Sequence, residues 1–189
     1  MDSTEKFLKQ VAVRALIVTG IGLGIGFLIF RLNIFKSSMP TFQVTMACVT
    51  VGVFYAMLKG YNLRNAMAVL LLWYLISNII DGPRHYWMMI VNLVYIAGLS
   101  LTVYLYMLII RKGLISNIII RIALFVVITA IMHALIVYVL ALFSLPKAVA
   151  QPYSIMLVGF HNLELGTLIG LALGIGIEVA DYTVCKLPG

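Results

Sequence analysis

Charged residues are scarce in this sequence. Asp, Glu, Lys and Arg make up 10% of the 189 residues, whereas a soluble globular domain carries about 25%. Hydrophobic residues make up 63%, and they come in long runs rather than in the stripes of a water-facing amphipathic helix. This composition argues against a soluble fold and predicts a chain whose main solvent is lipid.

Reactive motifs are also missing. The two cysteines are Cys48, inside an apolar run, and Cys185, in the C-terminal tail, so we expect no disulfide between them. The sequence contains no His-Glu-x-x-His and no Gly-x-Ser-x-Gly, and its glycine clusters lack the third glycine of the dinucleotide-binding fingerprint. Enzyme activity is therefore the less favoured interpretation, and we predict no catalytic residue and no metal ligand.

What the sequence does have is a series of apolar segments that approach the length of a transmembrane helix. Such a helix needs about 20 mainly apolar residues, and the breaks between these segments combine Pro, Gly and charges. We predict an all-α bundle of six spans in a single transmembrane domain covering residues 1–189. The helices are expected near 11–30, 41–58, 63–80, 86–110, 118–145 and 153–180. The third segment is short, so a five-span chain with a half-inserted third segment stays open.

The basic residues predict the orientation. Cytoplasmic loops of membrane proteins carry an excess of Lys and Arg. With the N-terminus in the cytoplasm, nine basic residues lie on the inner side and four (Arg31, Lys36, Arg84 and Lys147) on the outer side. We therefore predict that both termini are cytoplasmic. The first apolar run continues to Phe30 without a small-x-small cleavage site, so we predict a retained helix rather than a cleaved signal peptide. We also expect the protein to reside in a bacterial inner membrane.

A glycine stripe marks one face of the last predicted helix. Gly166, Gly170 and Gly174 repeat every four residues, which allows another helix backbone to approach closely. We interpret the stripe as a helix-packing surface, with the glycine-rich first helix as its expected partner. A dimerisation face is the alternative.

Polar residues inside the spans suggest a ligand site. A buried ionisable residue in a membrane costs several kcal/mol unless it is paired or hydrated, and His161 and Glu164 share one face of the last helix. Polar residues on three other predicted helices fall at similar depth. We therefore predict an outward-facing pocket for a small solute, and its residues are Asn78, Asn92, Tyr95, His133, His161 and Glu164.

Two other interpretations stay open. The protein could be a non-catalytic structural or assembly subunit of a membrane complex, working through the glycine stripe with a membrane protein partner or a second copy of itself. His133 and His161 could also ligate a b-type haem, which needs two facing imidazoles. We expect no other cofactor and no nucleic-acid partner, because the basic residues lie at the ends of the apolar runs.

The layout resembles one known class of membrane protein. Six short-looped spans with both termini inside are similar to the membrane substrate-capture subunits of bacterial vitamin importers. Those subunits carry Ala-x-x-x-Ala in the first helix, whereas here Ala12 is followed by Leu16 and Ala15 by Thr19. The resemblance is one of layout, and it implies solute capture without catalysis.

Overall fold

The computed structural model describes residues 3–31, 41–81, 86–113, 115–144 and 152–186. The side chains of residues 3–4, 6, 29–31, 41–43, 80–81, 86–88, 140–144 and 152–162 are not among those described. All regular secondary structure in these ranges is α-helical. The six helices are α1 (Ser3–Arg31), α2 (Thr41–Gly60), α3 (Leu63–Asp81), α4 (Tyr86–Arg111), α5 (Ile118–Ser144) and α6 (Pro152–Cys185).

Four of these helices are long and apolar enough to cross a membrane. Their apolar segments are Phe7–Leu28, Met89–Arg111, Ile118–Val139 and Leu163–Cys185. At 1.5 Å per residue, each segment exceeds the roughly 30 Å of a hydrocarbon core. Within the described side chains, α2 and α3 contribute the shorter apolar segments Val44–Gly60 and Leu63–Ile79. The described part of the chain is thus all-helical, and its four candidate spans are consistent with an integral membrane protein.

α2 lies at the centre of the bundle. It contacts α1, α3, α4 and α6, and most of its described side chains are buried. α6 packs against α5 and α1, and α4 packs against both α5 and α2. α3 lies at the edge, where the Trp73 indole N–H donates a 3.0 Å hydrogen bond to Thr50 Oγ1 of α2. The outward faces of α3, α4 and α5 expose large apolar side chains, as expected where lipid is the solvent.

The glycine stripe packs against α5 and not against α1, the partner expected from the sequence. A methyl group on Gly166 would lie 2.8 Å from Ala130 Cα, and one on Gly170 would lie 2.9 Å from Val126 Cα. Close backbone contact is possible here because glycine has no side chain. α1 instead approaches α6 at Gly176, whose added Cβ would lie 3.2 Å from Val18 Cα.

Candidate functional site

A cluster of charged residues closes the end of the bundle at which α1, α3 and α5 begin. Asp181 of α6 lies 2.9 Å from Lys59 Nζ of α2 and 3.4 Å from Arg14 Nε of α1. Its carboxylate also lies 3.9 Å from Arg121 Nη2 of α5. One acid therefore bridges cations from three neighbouring helices.

Glu178 extends this cluster. Arg121 Nε lies 3.0 Å from Glu178 Oε1, and the Tyr106 hydroxyl of α4 donates a 2.8 Å hydrogen bond to the same oxygen. Glu178 and Asp181 are three residues apart, which places both on one face of α6. We call Arg14, Lys59, Arg121, Glu178 and Asp181 the charged layer.

The charged layer was missed by sequence reasoning. Each of its members can reach water alone from a helix end, so the sequence by itself gives no reason to pair them. In the structure all five side chains are only 9–30% exposed. One signal in the sequence could have predicted the pairing. Glu178 and Asp181 lie one helical turn apart, and several basic residues are expected at the same membrane depth as these two acids.

A second polar centre lies deeper in the bundle, between α4 and α5. The rings of Tyr95 and His133 meet edge to face, with centroids 5.5 Å apart and an interplanar angle of 79°. Tyr95 is 7% exposed and His133 is 1% exposed. Within the part of the chain that the structure describes, neither Tyr95 Oη nor His133 Nδ1 has a hydrogen-bond partner.

Two asparagines continue this centre towards α3. Asn92 Nδ2 donates to Asn78 Oδ1 at 3.3 Å, and Asn78 Nδ2 donates to the Tyr74 carbonyl at 2.8 Å. Asn92 precedes Tyr95 by three residues and so shares its face of α4. Asn78, Asn92, Tyr95 and His133 therefore form one polar row across α3, α4 and α5, and these are four of the six residues predicted for the ligand site.

The other two predicted residues lie on α6. Glu164 is exposed, on the same outer strip of α6 as the exposed Thr167 and Leu171. It forms no ion pair among the described residues. The side chain of His161 lies outside the described residues. The structure therefore groups the row on α3, α4 and α5, and it places Glu164 on the surface of the chain.

The surroundings of His133 bear on metal and haem binding. Among the described residues, no group of three or more His, Cys, Asp and Glu side chains is placed to hold a metal ion. A methyl group on Gly166 would lie 2.8 Å from His133 Cβ and 3.1 Å from the Thr129 carbonyl oxygen. At this level α5 and α6 are in backbone contact, which leaves little space for a porphyrin between them.

The polar row and the charged layer lie at different depths. Tyr95 and Tyr106 are separated by about 16 Å along α4, and His133 and Arg121 by about 18 Å along α5, at 1.5 Å per residue. Between these levels, Thr102 and Thr129 donate to carbonyls four residues earlier in their own helices. The bundle thus contains an ion-paired charged layer at one end. Nearer its middle it contains a polar row with two side-chain atoms that have neither a hydrogen bond nor an ion pair among the described residues.

Comparison with known proteins gives no match to this chain. No family model matches it, and neither a curated protein nor a solved structure matches it. The similarity in layout to solute-capture subunits gains no support from these comparisons. Any functional argument therefore depends on the chain's own residues.

Proposed function

We propose that this protein is a six-span integral protein of a bacterial inner membrane that binds a small solute at the polar row. Both termini lie in the cytoplasm under this proposal, because nine of the thirteen basic residues then lie on the inner side. The charged layer then lies at the inner interface. The solute reaches the row from the opposite side of the membrane and is held or passed on without chemical change.

The observation that carries this proposal is the pair of unpartnered atoms, Tyr95 Oη and His133 Nδ1. Buried polar groups in proteins are nearly always hydrogen-bonded, and leaving one unsatisfied costs about 1–3 kcal/mol. Two such groups in adjacent side chains on different helices favour a site that a ligand completes. A hydroxyl and an imidazole suit a solute that both donates and accepts hydrogen bonds.

The charge distribution favours an uncharged solute. The side chains of the polar row are two amides, a phenol and an imidazole. The ion pairs among the described residues all lie at the charged layer instead. An ion at the row would have no counter-charge among these four side chains, which is costly away from water. Glu164 adds no counter-charge at the row, because its side chain is exposed on the surface of α6.

The position of the charged layer favours entry of the solute from the outer side of the membrane. Its ion pairs connect α1, α2, α5 and α6, and the Tyr106–Glu178 hydrogen bond connects α4. These contacts close the bundle between the polar row and the predicted cytoplasmic side. A solute that occupies the row under this arrangement comes from the outer side.

The test compares Tyr95→Phe with Tyr138→Phe, which changes an exposed tyrosine on α5. The purified proteins are heated in detergent with a panel of small uncharged solutes, and the midpoint of unfolding is measured. A solute at about 100 times its Kd stabilises the wild type by about 2.7 kcal/mol. We expect the stabilisation to persist in Tyr138→Phe and to be lost in Tyr95→Phe. Without solute, Tyr95→Phe should be at least as stable as the wild type, because it removes an unpartnered hydroxyl.

Two outcomes would replace the proposal. If no solute stabilises the wild type while a membrane protein co-purifies in fixed ratio, the assembly-subunit interpretation is correct. A Soret band in the absorption spectrum of the purified protein would instead identify a haem protein, with His133 as a candidate ligand.

A further inference from the structure

A groove on the outside of the bundle lies between α3 and α4, with α2 as its floor. Its volume is about 370 Å³, within the range of about 300–1,000 Å³ typical of ligand pockets. Leu71 and Leu101 are 60% and 45% exposed along it, so its open side faces the lipid. Its lining includes Phe54 of α2, Met67 of α3 and Ala97 of α4, and it is apolar apart from Tyr74, Ser100 and Tyr104.

A second cavity continues this groove towards the end of the bundle that carries the charged layer. It has a volume of about 250 Å³, and it shares Leu63 and Tyr104 with the groove. It is more polar, because Tyr61, Asn62 and Arg111 contribute to its lining. The two cavities thus form a path that changes from apolar to cationic as it approaches the end of α4.

Arg111 is the charge at the polar end of this path. One of its terminal nitrogens donates a 2.9 Å hydrogen bond to the Leu58 carbonyl, which fixes the guanidinium and leaves most of its five N–H donors for another acceptor. Neither cavity is lined by an acid. Arg111 has no ion-pair partner within the described part of the chain, in contrast to Arg14 and Arg121 of the charged layer.

We propose that this path binds one phospholipid with an anionic headgroup. An acyl chain occupies the groove between α3 and α4, and the headgroup phosphate accepts hydrogen bonds from Arg111. Guanidinium groups match phosphate geometry, and basic pockets between transmembrane helices on the cytoplasmic side are a known way of binding anionic lipid headgroups. The exposed Arg64, adjacent in sequence to Leu63, adds positive charge at this end.

This lipid site is independent of the solute proposed at the polar row. The lipid enters sideways from the bilayer, because the groove opens on the apolar outer surface of α3 and α4. Its occupancy should therefore not depend on the Tyr95 hydroxyl. Failure of the solute proposal and failure of the lipid proposal can be distinguished by measuring both ligands on the same variants.

The test uses native mass spectrometry of the full chain in detergent, titrated with phosphatidylglycerol or phosphatidylcholine of identical acyl chains. We expect the wild type to retain one phosphatidylglycerol in preference to phosphatidylcholine. Both lipids carry the phosphate, but the choline ammonium of phosphatidylcholine would lie beside the positive charge of Arg111, and no acid lines the path to balance it. Arg111→Gln should weaken that retention about tenfold, because a hydrogen bond to a charged group is lost. The control is Lys112→Gln, which removes the same charge from a residue outside the cavity lining. It should change retention by about twofold at most, because Lys112 does not line the path and acts on the headgroup only through a screened charge.

A second variant keeps the proposal testable if Arg111→Gln does not fold. Ala97→Phe places a ring in the groove while Arg111 stays, and it should reduce retention of phosphatidylglycerol. Equal retention of the two lipids by the wild type would overturn the proposal, as would equal effects of Arg111→Gln and Lys112→Gln. Two further results would also overturn it. One is that inorganic phosphate alone abolishes the preference for phosphatidylglycerol over phosphatidylcholine. The other is that the spectrum shows the mass of a dimer and no lipid adduct.

Discussion

Asp181→Asn removes the acid that connects most helices of the charged layer. The substitution keeps the size of the side chain but leaves Lys59, Arg14 and Arg121, all within 4 Å of the carboxylate, without their common counter-charge. Glu178 is then the one acid of the charged layer, and it must balance the three cations. The free energy of unfolding should fall because repulsion replaces attraction at the junction of α1, α2, α5 and α6.

The size of this loss follows from burial. Exposed ion pairs contribute about 0.2–1 kcal/mol, whereas removing one partner of a buried pair costs about 3–5 kcal/mol. The Asp181 side chain is 17% exposed, which lies between these two situations. Lys59 and Arg14 lose the ion-pair partner that the described residues give them, whereas Arg121 keeps Glu178 at 3.0 Å. We expect a loss of about 3 kcal/mol, which corresponds to a decrease of about 6–12 °C in Tm for a chain of this length.

The assay is thermal unfolding in detergent at one fixed heating rate. Glu164→Gln is the matched control, because it neutralises an exposed acid of the same helix and should change stability by about 0.5 kcal/mol at most. Adding Lys59→Met to Asp181→Asn should recover part of the loss, because it removes one unpaired cation and the two effects are then not additive. A Tm for Asp181→Asn equal to that of Glu164→Gln would refute the coupling of helices through the charged layer.

Two further predictions concern packing. Gly170→Ala should destabilise the protein by about 1–3 kcal/mol, because the methyl group would lie 2.9 Å from Val126 Cα, whereas Gly24→Ala meets nothing within 4 Å and should leave Tm unchanged or raise it. Equal Tm values for the two variants would contradict the backbone contact between α5 and α6. A thiol reagent added to the folded protein should label Cys185, which is exposed, and not Cys48, which is buried. Mass spectrometry of the labelled chain measures this, and equal labelling rates at both cysteines would contradict the packing of α2.

The helices were predictable because a bilayer imposes a length and an apolar composition on each segment that crosses it. The polar row was partly predictable, since Asn92 and Tyr95 share a face of any helix that contains both. The neighbours of Asn92 and Tyr95 on other helices, Asn78 of α3 and His133 of α5, could not be derived in the same way. Periodicity shows which residues share a face, but not which helix that face meets.

Glu164 illustrates this gap. The helical repeat places it roughly opposite the glycine stripe, and the sequence offers no information on which of the two faces is inside. In the structure the stripe contacts α5, and α1 packs nearby at Gly176. The face that carries Glu164 is then left on the surface. The pairing of Arg14 with Asp181 escaped prediction for the same reason, because it depends on α1 and α6 being neighbours.

The glycine-mediated backbone contacts with α1, α2, α5 and α6 and the ion pairs of the charged layer lie on the same four helices of the described bundle. α1 and α2 meet at Gly52, where an added Cβ would lie 3.1 Å from the Ala15 carbonyl oxygen. α6 makes similar backbone contacts with α1 and with α5 through its glycines. All four ion pairs of the charged layer join these same helices. α1, α2, α5 and α6 are therefore connected by both backbone packing and charge.

α4 is attached differently. At Gly98 its nearest neighbour is the side chain of Ile136 rather than the backbone of α5, and side chains adjust more easily than packed backbones. α4 also carries Tyr95, which faces His133, and Tyr106, whose hydroxyl binds Glu178. Displacement of α4 would therefore open the polar row and release Tyr106 while all four ion pairs stay formed. Under the proposed function, we expect α4, rather than α1, α2, α5 or α6, to shift when a solute binds.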